Sequence, residues 1–345
     1  MTGSDPTAPA SLSEDDLRER FERRDYVADA ATVTTVSLAL QLERPLLVEG
    51  PPGSGKTELG KVLAAAFDTE LIRLQCYEGL TAENALYEWN YTKQLLAIQA
   101  NEGTVAGGDG PTATADVDSA DRAEASEEPG TVFDEEFLLE RPLLRALRPG
   151  TDRPPVLLID EIDRADEEFE AFLLEVLSDF QVSIPELGTV TASHPPIVIL
   201  TSNRTRGLSD ALKRRCLYLY VEPPSFETEY EIVRRKVPEL DAVVAAEVCA
   251  IVERFREEAF LKQPGVAETL DWARAVARLR ESNSADAESA DAGGESSAAA
   301  SISAGEIERT IGCLLKEAED VDRVDTELLE QLRDAAAAAR DRLED

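Results

Sequence analysis

This sequence is poor in the residues that several large classes of function require. It has one histidine, His194, and four cysteines, Cys76, Cys216, Cys249 and Cys313, none in a CxxC spacing. That set supports neither a zinc site nor a disulfide framework. The cysteines read as small core residues, and the chain as intracellular and cytoplasmic. His194 stands before Pro195-Pro196 and reads as a loop residue rather than a catalyst. Basic residues are scarce: 35 Lys and Arg against 70 Asp and Glu, a formal net charge of -35. No basic or aromatic stripe breaks that acidity, which disfavours nucleic acid as a partner, since its binding needs the opposite field. No stretch approaches the roughly 18 apolar residues of a membrane span. The opening segment, MTGSDPTAPASLSEDDL, has no apolar centre and does not read as a signal peptide. No membrane partner is expected.

What the chain does have is length, apolar side chains and acid. Its 345 residues, 43% of them apolar, can bury a real core and fill two domains, or one with an appendage. A surplus of 35 negative charges over 345 residues is about one in ten. Such a surface repels itself in dilute buffer and destabilises the compact state. Molar salt shrinks the screening length to about 3 Å and removes most of that repulsion. The acidity reads first as a solvated surface of the halophile type and second as a face for a basic partner.

The pattern along the chain alternates. After a loose leader, 1–13, expected to be disordered, helical spacing runs from about Glu14 to Leu42. An apolar strand, Pro45 to Val48, leads into a glycine-rich loop. Helix (Glu58 to Phe67), strand (Glu70 to Cys76) and helix (Ala82 to Gln99) are expected next. Strands at Val156 to Ile159, Ile197 to Thr201 and Cys216 to Val221 follow, with a helix at Asp166 to Phe180 between the first two. Such alternation predicts an α/β fold whose parallel sheet is covered on both faces. From Phe226 only helices are expected, at Phe226 to Lys236, Ala242 to Phe260, Val266 to Leu279, Ala304 to Glu319 and Asp325 to Leu343. That change divides an α/β core, 14–224, from a small all-α region, 225–345. Gly103 to Gly130 and Ser282 to Ala304 are nearly free of large apolar residues and are expected to be disordered insertions.

Gly50-Pro51-Pro52-Gly53-Ser54-Gly55-Lys56-Thr57 matches GxxxxGK[ST], with an apolar strand before it and a helix after it. Glycines let backbone N–H groups turn inward around phosphate oxygens, and the following helix adds its positive N-terminus. Lys56 would bridge the β- and γ-phosphates and Thr57 would place its hydroxyl on Mg²⁺. Glu58, the next residue, is counted with this loop. ATP with Mg²⁺ is the implied ligand. Val156-Leu157-Leu158-Ile159-Asp160-Glu161 is an apolar strand ending in two carboxylates, an arrangement that calls for a cation. Asp160 would hold the metal, and Glu161 would activate water as general base. The strand ending in Ser202-Asn203 offers Asn203 either as a turn residue or as a polar group reaching toward the γ-phosphate. Arg214 and Arg215 close a basic run that is either a solvated helix end or an arginine finger for a neighbouring subunit's nucleotide.

The strings YVADAAT, RPLLVEGPPGSGKTEL, QCYEGLTAENALYEWNY, VLLIDEIDRADEEFEAFLLEVLSDFQVSIPELG and ILTSNRTRGLSDALKRRCLYLYVE resemble the MoxR branch of the AAA+ ATPases. Within it they are similar to the ATPase subgroup that accompanies carbon monoxide dehydrogenase maturation. The resemblance spans about Tyr26 to Val324 apart from the two insertions. It implies a three-layer parallel-sheet P-loop core with a helical lid, assembled as a homo-oligomeric ring, a hexamer in the family. It makes Lys56 and Thr57 Walker A residues, Asp160 and Glu161 the Walker B pair, Asn203 sensor 1, and Arg215 the finger with Arg214 as partner. It sets Tyr26 and Val27 against the adenine and places a hairpin at Gln181 to Ala192 and an insert at about Tyr87 to Leu144. It also implies a von Willebrand factor A-domain protein and a client enzyme as partners, with a role in remodelling, maturation or metal-cofactor insertion. One departure stands out. Gly265-Val266-Ala267-Glu268-Thr269 occupies the stretch where many relatives carry a sensor-2 arginine, and Arg274 further along is the alternative. A nucleotide-dependent switch or scaffold without remodelling and a nucleic-acid-associated motor are the competing readings.

The charge surplus generates a direct expectation. The melting temperature should rise between about 0.2 and about 2 M KCl as screening removes self-repulsion. A fall over that range would refute the high-salt reading of the acidity.

Overall fold

The computed structural model describes residues 9–96, 137–148, 153–185, 188–288 and 301–344. Two strands set the framework. β1 (Leu46–Glu49) and β5 (Val156–Asp160) are buried along their whole length, as strands of a sheet covered on both faces must be. They belong to one parallel sheet with β2 (Leu71–Gln75), β8 (Ile197–Ser202) and β9 (Leu217–Tyr220), in the order β2-β5-β8-β1-β9. The chain thus has the three-layer α/β architecture expected of a phosphate-loop fold.

Alternation along each strand assigns its side chains to opposite layers. Leu46, Val48, Val156, Leu158 and Ile199 pack on one face with Leu59 and Leu63 of α3 (Lys56–Phe67). That layer also takes Leu17 and Phe21 from α1 (Glu14–Glu22) and Val33 and Val36 from α2 (Ala30–Gln41). Leu47, Leu157, Ile159, Val198 and Leu200 face the other way. They meet Leu143 and Leu144 of α5 (Pro142–Leu147) and Phe169, Leu173 and Val176 of α6 (Glu167–Asp179). Two small antiparallel pairs flank the sheet. β3 (Tyr87–Trp89) pairs with β4 (Leu138–Glu140). β6 (Gln181–Ile184) pairs with β7 (Gly188–Thr191), and Gly188 begins β7 at φ +77°, so the hairpin expected at Gln181 to Ala192 is present. Cys76, Cys216 and Cys249 are buried, and Cys313 packs against the core of the C-terminal helical region.

After β9 and the short α7 (Asp210–Arg215) that precedes it, the chain is helical: α8 (Phe226–Lys236), α9 (Ala242–Glu257), α10 (Val266–Glu288), α11 (Ala304–Thr310), α12 (Ala318–Asp322) and α13 (Thr326–Glu344). Trp272 and Phe255 anchor their shared core. Buried acids in this region are fully partnered, as they must be. Glu229 takes a bidentate Arg256 at 2.6 and 2.7 Å plus the Thr269 hydroxyl at 2.7 Å. Glu247 takes Arg340, the Ser301 hydroxyl and the Ile302 amide. Among the described residues no helix is long and apolar enough to cross a membrane.

Several expected boundaries move, each for a local reason. Leader residues 9–12 are ordered, because Pro9–Ser11 form a turn and Leu12 is buried beside Phe21 and Val36. The helical spacing expected over about Glu14 to Leu42 resolves into two helices, separated where Asp25 takes φ 52° and Asp29 caps α2 through the Thr32 amide. The helix expected from Ala82 gives way after α4 (Ala82–Leu86), where Tyr87 and Trp89 enter a strand that suits aromatics better. The helix from Ala304 stops at Thr310 and resumes at Ala318. α10 runs to Glu288, past the expected end at Leu279 and into the stretch expected to be disordered from Ser282; Ala and Glu there are good helix formers. The insertion at 103–130 and residues 289–300 of the second lie outside the described residues.

The helical region docks on the glycine-rich loop through a close backbone contact. Val266 donates its amide to the Gly53 carbonyl at 3.0 Å. A Cβ on Gly265 would lie 2.6 Å from the Gly53 Cα, and one on Gly53 2.8 Å from the Gly265 Cα. Neither backbone can yield without separating the two regions. Gly265→Ala should therefore cost about 1–3 kcal/mol in chemical denaturation, the usual penalty of overpacking. Gly305→Ala, which meets nothing within 4 Å, should be neutral or stabilising by up to about 1 kcal/mol. Equal effects of the two would contradict the docking.

Candidate functional site

Three strand ends meet at the C-terminal edge of the sheet. β8 lies between β1 and β5, with Glu49 opposite Ser202 and Ile159 opposite Leu200. The residues that follow those ends, Gly50, Glu161 and Asn203, are therefore neighbours, in the crevice where open α/β sheets bind ligands. Gly50 donates to the Ser202 carbonyl at 3.3 Å, which ties the glycine loop to the tip of β8. Gly53 and Gly55 take φ +77° and +93°, and Gly55 sits at the N-cap of α3. Only glycine adopts that conformation freely, so the loop turns its amides toward one point ahead of the helix.

The side chains of the loop converge there. Lys56 is buried and donates from Nζ to the Gly50 and Pro51 carbonyls at 3.0 and 2.7 Å. Burial pulls its ammonium below the ordinary value, against the upward pull of Asp160, Asp163 and Glu161. The Ser54 hydroxyl is buried with no hydrogen-bond partner, a costly state that an incoming acceptor oxygen would relieve. Thr57 Oγ1 lies 3.1 and 3.3 Å from the two Asp160 carboxylate oxygens. A hydroxyl and a carboxylate so close suit a small hard cation, which takes oxygen ligands.

Asp160 is the most heavily contacted of these groups. Besides Thr57 it accepts from the Thr201 hydroxyl on β8 and from Arg73 on β2, at 3.1 Å from Nε and 2.5 Å from Nη2. Glu161 stands just beyond, in left-handed backbone at φ 55°, a strained state for a residue with a side chain, common at functional sites. Its amide donates to Thr201 Oγ1 at 3.0 Å, its carboxylate is paired with Arg164 at 3.1 Å, and its side chain is 32% exposed. It thus stays open to solvent while Asp160 is shut in.

Asn203 is held by its backbone. Its amide donates to Asp163 at 3.2 Å, and Thr205 adds its amide at 2.8 Å and its hydroxyl at 2.6 Å to the same carboxylate. Burial pushes the Asp163 carboxyl up, but those hydrogen bonds pull harder and hold it below its ordinary 3.8. Glu170 on α6 continues the brace, accepting from the Ser209 amide and pairing with Arg206.

Arg214 and Arg215 are elsewhere. They end α7, just before β9, whose Leu217 pairs with Leu46 at the start of β1. The glycine loop follows the far end of β1, at Glu49. With about 3.3 Å per residue, both arginines lie a full strand length from the loop of their own chain. Arg215 donates to the Ser178 hydroxyl at 3.0 Å, and both side chains are exposed. Tyr26 packs edge-on against Phe21 at 5.3 Å, and burial raises its phenol. With Val27, Glu231 and Arg235 it lines a cavity of about 180 Å³, and Glu58 faces Lys61 and Lys236 nearby. No arginine meets the loop from α10. Arg274 pairs with Asp271 at 3.2 Å, about 12 Å along the helix from Val266 at 1.5 Å per residue. Glu268 faces Gly53 instead and accepts the Gly265 amide at 3.1 Å.

Sequence reasoning missed Arg73, Thr201 and Asp163. Each acts through a neighbouring strand or loop, which no local motif records. The one available signal was Arg73 itself, a lone cation at an outward position of an apolar strand.

Residues 45–216 match the family model of the AAA domain, dynein-related subfamily. An uncharacterised protein of Staphylococcus haemolyticus is 24% identical over 265 residues, which are 74% of this chain and 85% of that protein. An uncharacterised protein of Staphylococcus aureus is 27% identical over 202 residues, 56% of this chain and 62% of its own length. Among solved structures, a Thermotoga maritima RuvB variant superposes with TM-score 0.45 and 17% identity, covering 75% of this chain and 65% of that one.

The Asp163 brace is open to a pH experiment. A depressed carboxyl contributes stability above its unfolded value and loses it as pH falls through the folded one. Asp163→Asn should lower stability by about 1.5–3 kcal/mol near neutrality. The gap from wild type should close only as pH falls below about 4. A gap that stays constant down to that range and beyond would contradict the brace.

Proposed function

This chain carries an AAA domain of the dynein-related subfamily over residues 45–216, and on that premise we propose that it hydrolyses ATP and couples turnover to remodelling a client protein. The observation that carries the reading is the convergence of Lys56, Ser54, Thr57, Asp160, Glu161 and Asn203 on one crevice. The Gly53 and Gly55 amides and the N-terminus of α3 face the phosphates, and the Ser54 hydroxyl and Lys56 ammonium add donors. Thr57 and Asp160 would hold Mg²⁺, which would supply charge neutralisation at the phosphates. Glu161, exposed at the strand tip, accepts a proton from water, and Asn203, fixed by Asp163, orients that water. Tyr26 and Val27 are read as one wall of the adenine pocket.

The remaining charge comes from a second copy. Arg214 and Arg215 lie a strand length from their own loop, so they serve a neighbour's nucleotide in a homo-oligomeric ring, hexameric as in similar ATPases. The MoxR-type role rests on the strings quoted from the sequence. So do a von Willebrand factor A-domain partner, a client enzyme and maturation or metal-cofactor insertion. The charge of -35 supports a protein client over a nucleic acid.

Two substitutions separate the chemistry from its assembly. Glu161→Gln should retain nucleotide in a filter or fluorescence binding assay while phosphate release stops. Undiminished release would remove Glu161 as the base. Arg215→Ala should slow hydrolysis by about 10³–10⁵, a barrier increase of about 4–7 kcal/mol. Mixing it with a Lys56→Ala subunit should restore part of the rate, because each subunit supplies what the other lacks. No rescue at high subunit concentration would count against service in trans.

A further inference from the structure

Arg73 has no role in the chemistry assigned above, yet it forms an ion pair with Asp160. The Asp160 carboxylate has two edges. Oδ1 accepts the Thr201 hydroxyl and faces Thr57 at 3.1 Å, both on elements that close the core. Oδ2 takes both Nε and Nη2 of Arg73 at 3.1 and 2.5 Å. The pair is asymmetric: the Asp160 side chain is 4% exposed and that of Arg73 is 51% exposed. Arg73 reaches in from β2, the edge strand beside β5. Gln75, two residues on and so on the same face, accepts Nη2 at 2.7 Å and steadies the guanidinium.

A buried carboxylate must be compensated, and Arg73 compensates it from the solvent side. Thr57 Oγ1 lies 3.3 Å from Oδ2 as well as 3.1 Å from Oδ1, so an ion held by Thr57 and Asp160 would meet the oxygen that Arg73 occupies. A guanidinium donating twice to Oδ2 leaves no room there for a directly bound ion. Because Arg73 is half in water and at a sheet edge, it can swing out at little cost, whereas the two threonines cannot.

We propose that Arg73 is a resident counter-cation that Mg²⁺ displaces from Asp160, a positioning residue that sets how much metal the site requires. The inference rests on the reading of this crevice as a Mg²⁺–nucleotide site. Between turnovers Arg73 keeps the Asp160 carboxylate paired and aimed. Loading then becomes an exchange of one cation for another, with Gln75 holding the displaced guanidinium nearby for its return.

The test uses the full chain and a fluorescent ADP analogue, with Mg²⁺ titrated from EDTA-treated protein. Arg73→Ala and Arg73→Gln should each lower the half-saturating Mg²⁺ by about two- to fivefold, the scale of one half-exposed ion pair. Nucleotide affinity at saturating Mg²⁺ should not change, and the melting temperature in EDTA should fall. Arg73→Lys should lie between these variants and wild type. Arg278→Ala, the same charge change on an exposed residue of α10, should leave the Mg²⁺ requirement unaltered. An unchanged requirement in the Arg73 variants would overturn the proposal. So would a loss of nucleotide affinity at saturating Mg²⁺, which would make Arg73 a nucleotide ligand instead. Wild type that binds no nucleotide at any Mg²⁺ concentration would refute the site reading and the exchange together. Wild type that binds while the Arg73 variants match it would refute the exchange alone.

Discussion

One buried carboxylate organises the functional edge of this molecule. Asp160 ends the most deeply enclosed strand, where an uncompensated charge would be intolerable. Its partners arrive from three directions: Thr57 from the helix after the glycine loop, Thr201 from β8 and Arg73 from β2. Those contacts fix the spacing between the loop and two strand tips. Glu161 is then carried out to solvent by a strained left-handed turn whose amide is tied to the same Thr201. Asp163 extends the pattern, converting the loop after β8 into a rigid support for Asn203. Carboxylates, held by hydroxyls and amides, thus do the bracing that bulky apolar groups do elsewhere in the core.

What the sequence made legible follows from the range of each interaction. The glycine loop, Lys56 and Thr57 are a local pattern whose geometry lies in eight consecutive residues. The apolar run ending in Asp160-Glu161 is local too, so the strand and its acids were readable together. All five sheet strands were placed within a residue at each end, and the central ones were plainest because strands buried on both faces read as continuous apolar runs. Contacts between strands were not readable. Nothing near Arg73 says that Asp160 lies beside it, and nothing near Gly265 says that Gly53 does. Helix ends failed for a different reason. The breaks at Asp25 and after Leu86 depend on one left-handed residue and one strand partner, both of which outweigh local propensity.

The acidity that dominates the composition is sorted by burial. Exposed acids are solvated or lightly paired, and each salt bridge among them is worth little. Buried acids such as Glu229, Glu247 and Asp163, by contrast, are each held by several donors. Acid is therefore both the solvated coat of this protein and its internal framing. The helical region touches the glycine loop through glycine backbone, and it brings Glu268 there, not a cation. The glycine loop and the helical region are thus joined at a close backbone contact with an acidic side chain beside it.

The account depends most on Asp160 and Thr57 acting as a metal site for bound nucleotide. The direct measurement is the rise in melting temperature that ATP brings with Mg²⁺ and with EDTA, in wild type and in Asp160→Asn. The account predicts a Mg²⁺-dependent rise in wild type that disappears in the variant, while the smaller rise in EDTA survives in both. A Mg²⁺-dependent rise of equal size in Asp160→Asn would contradict it.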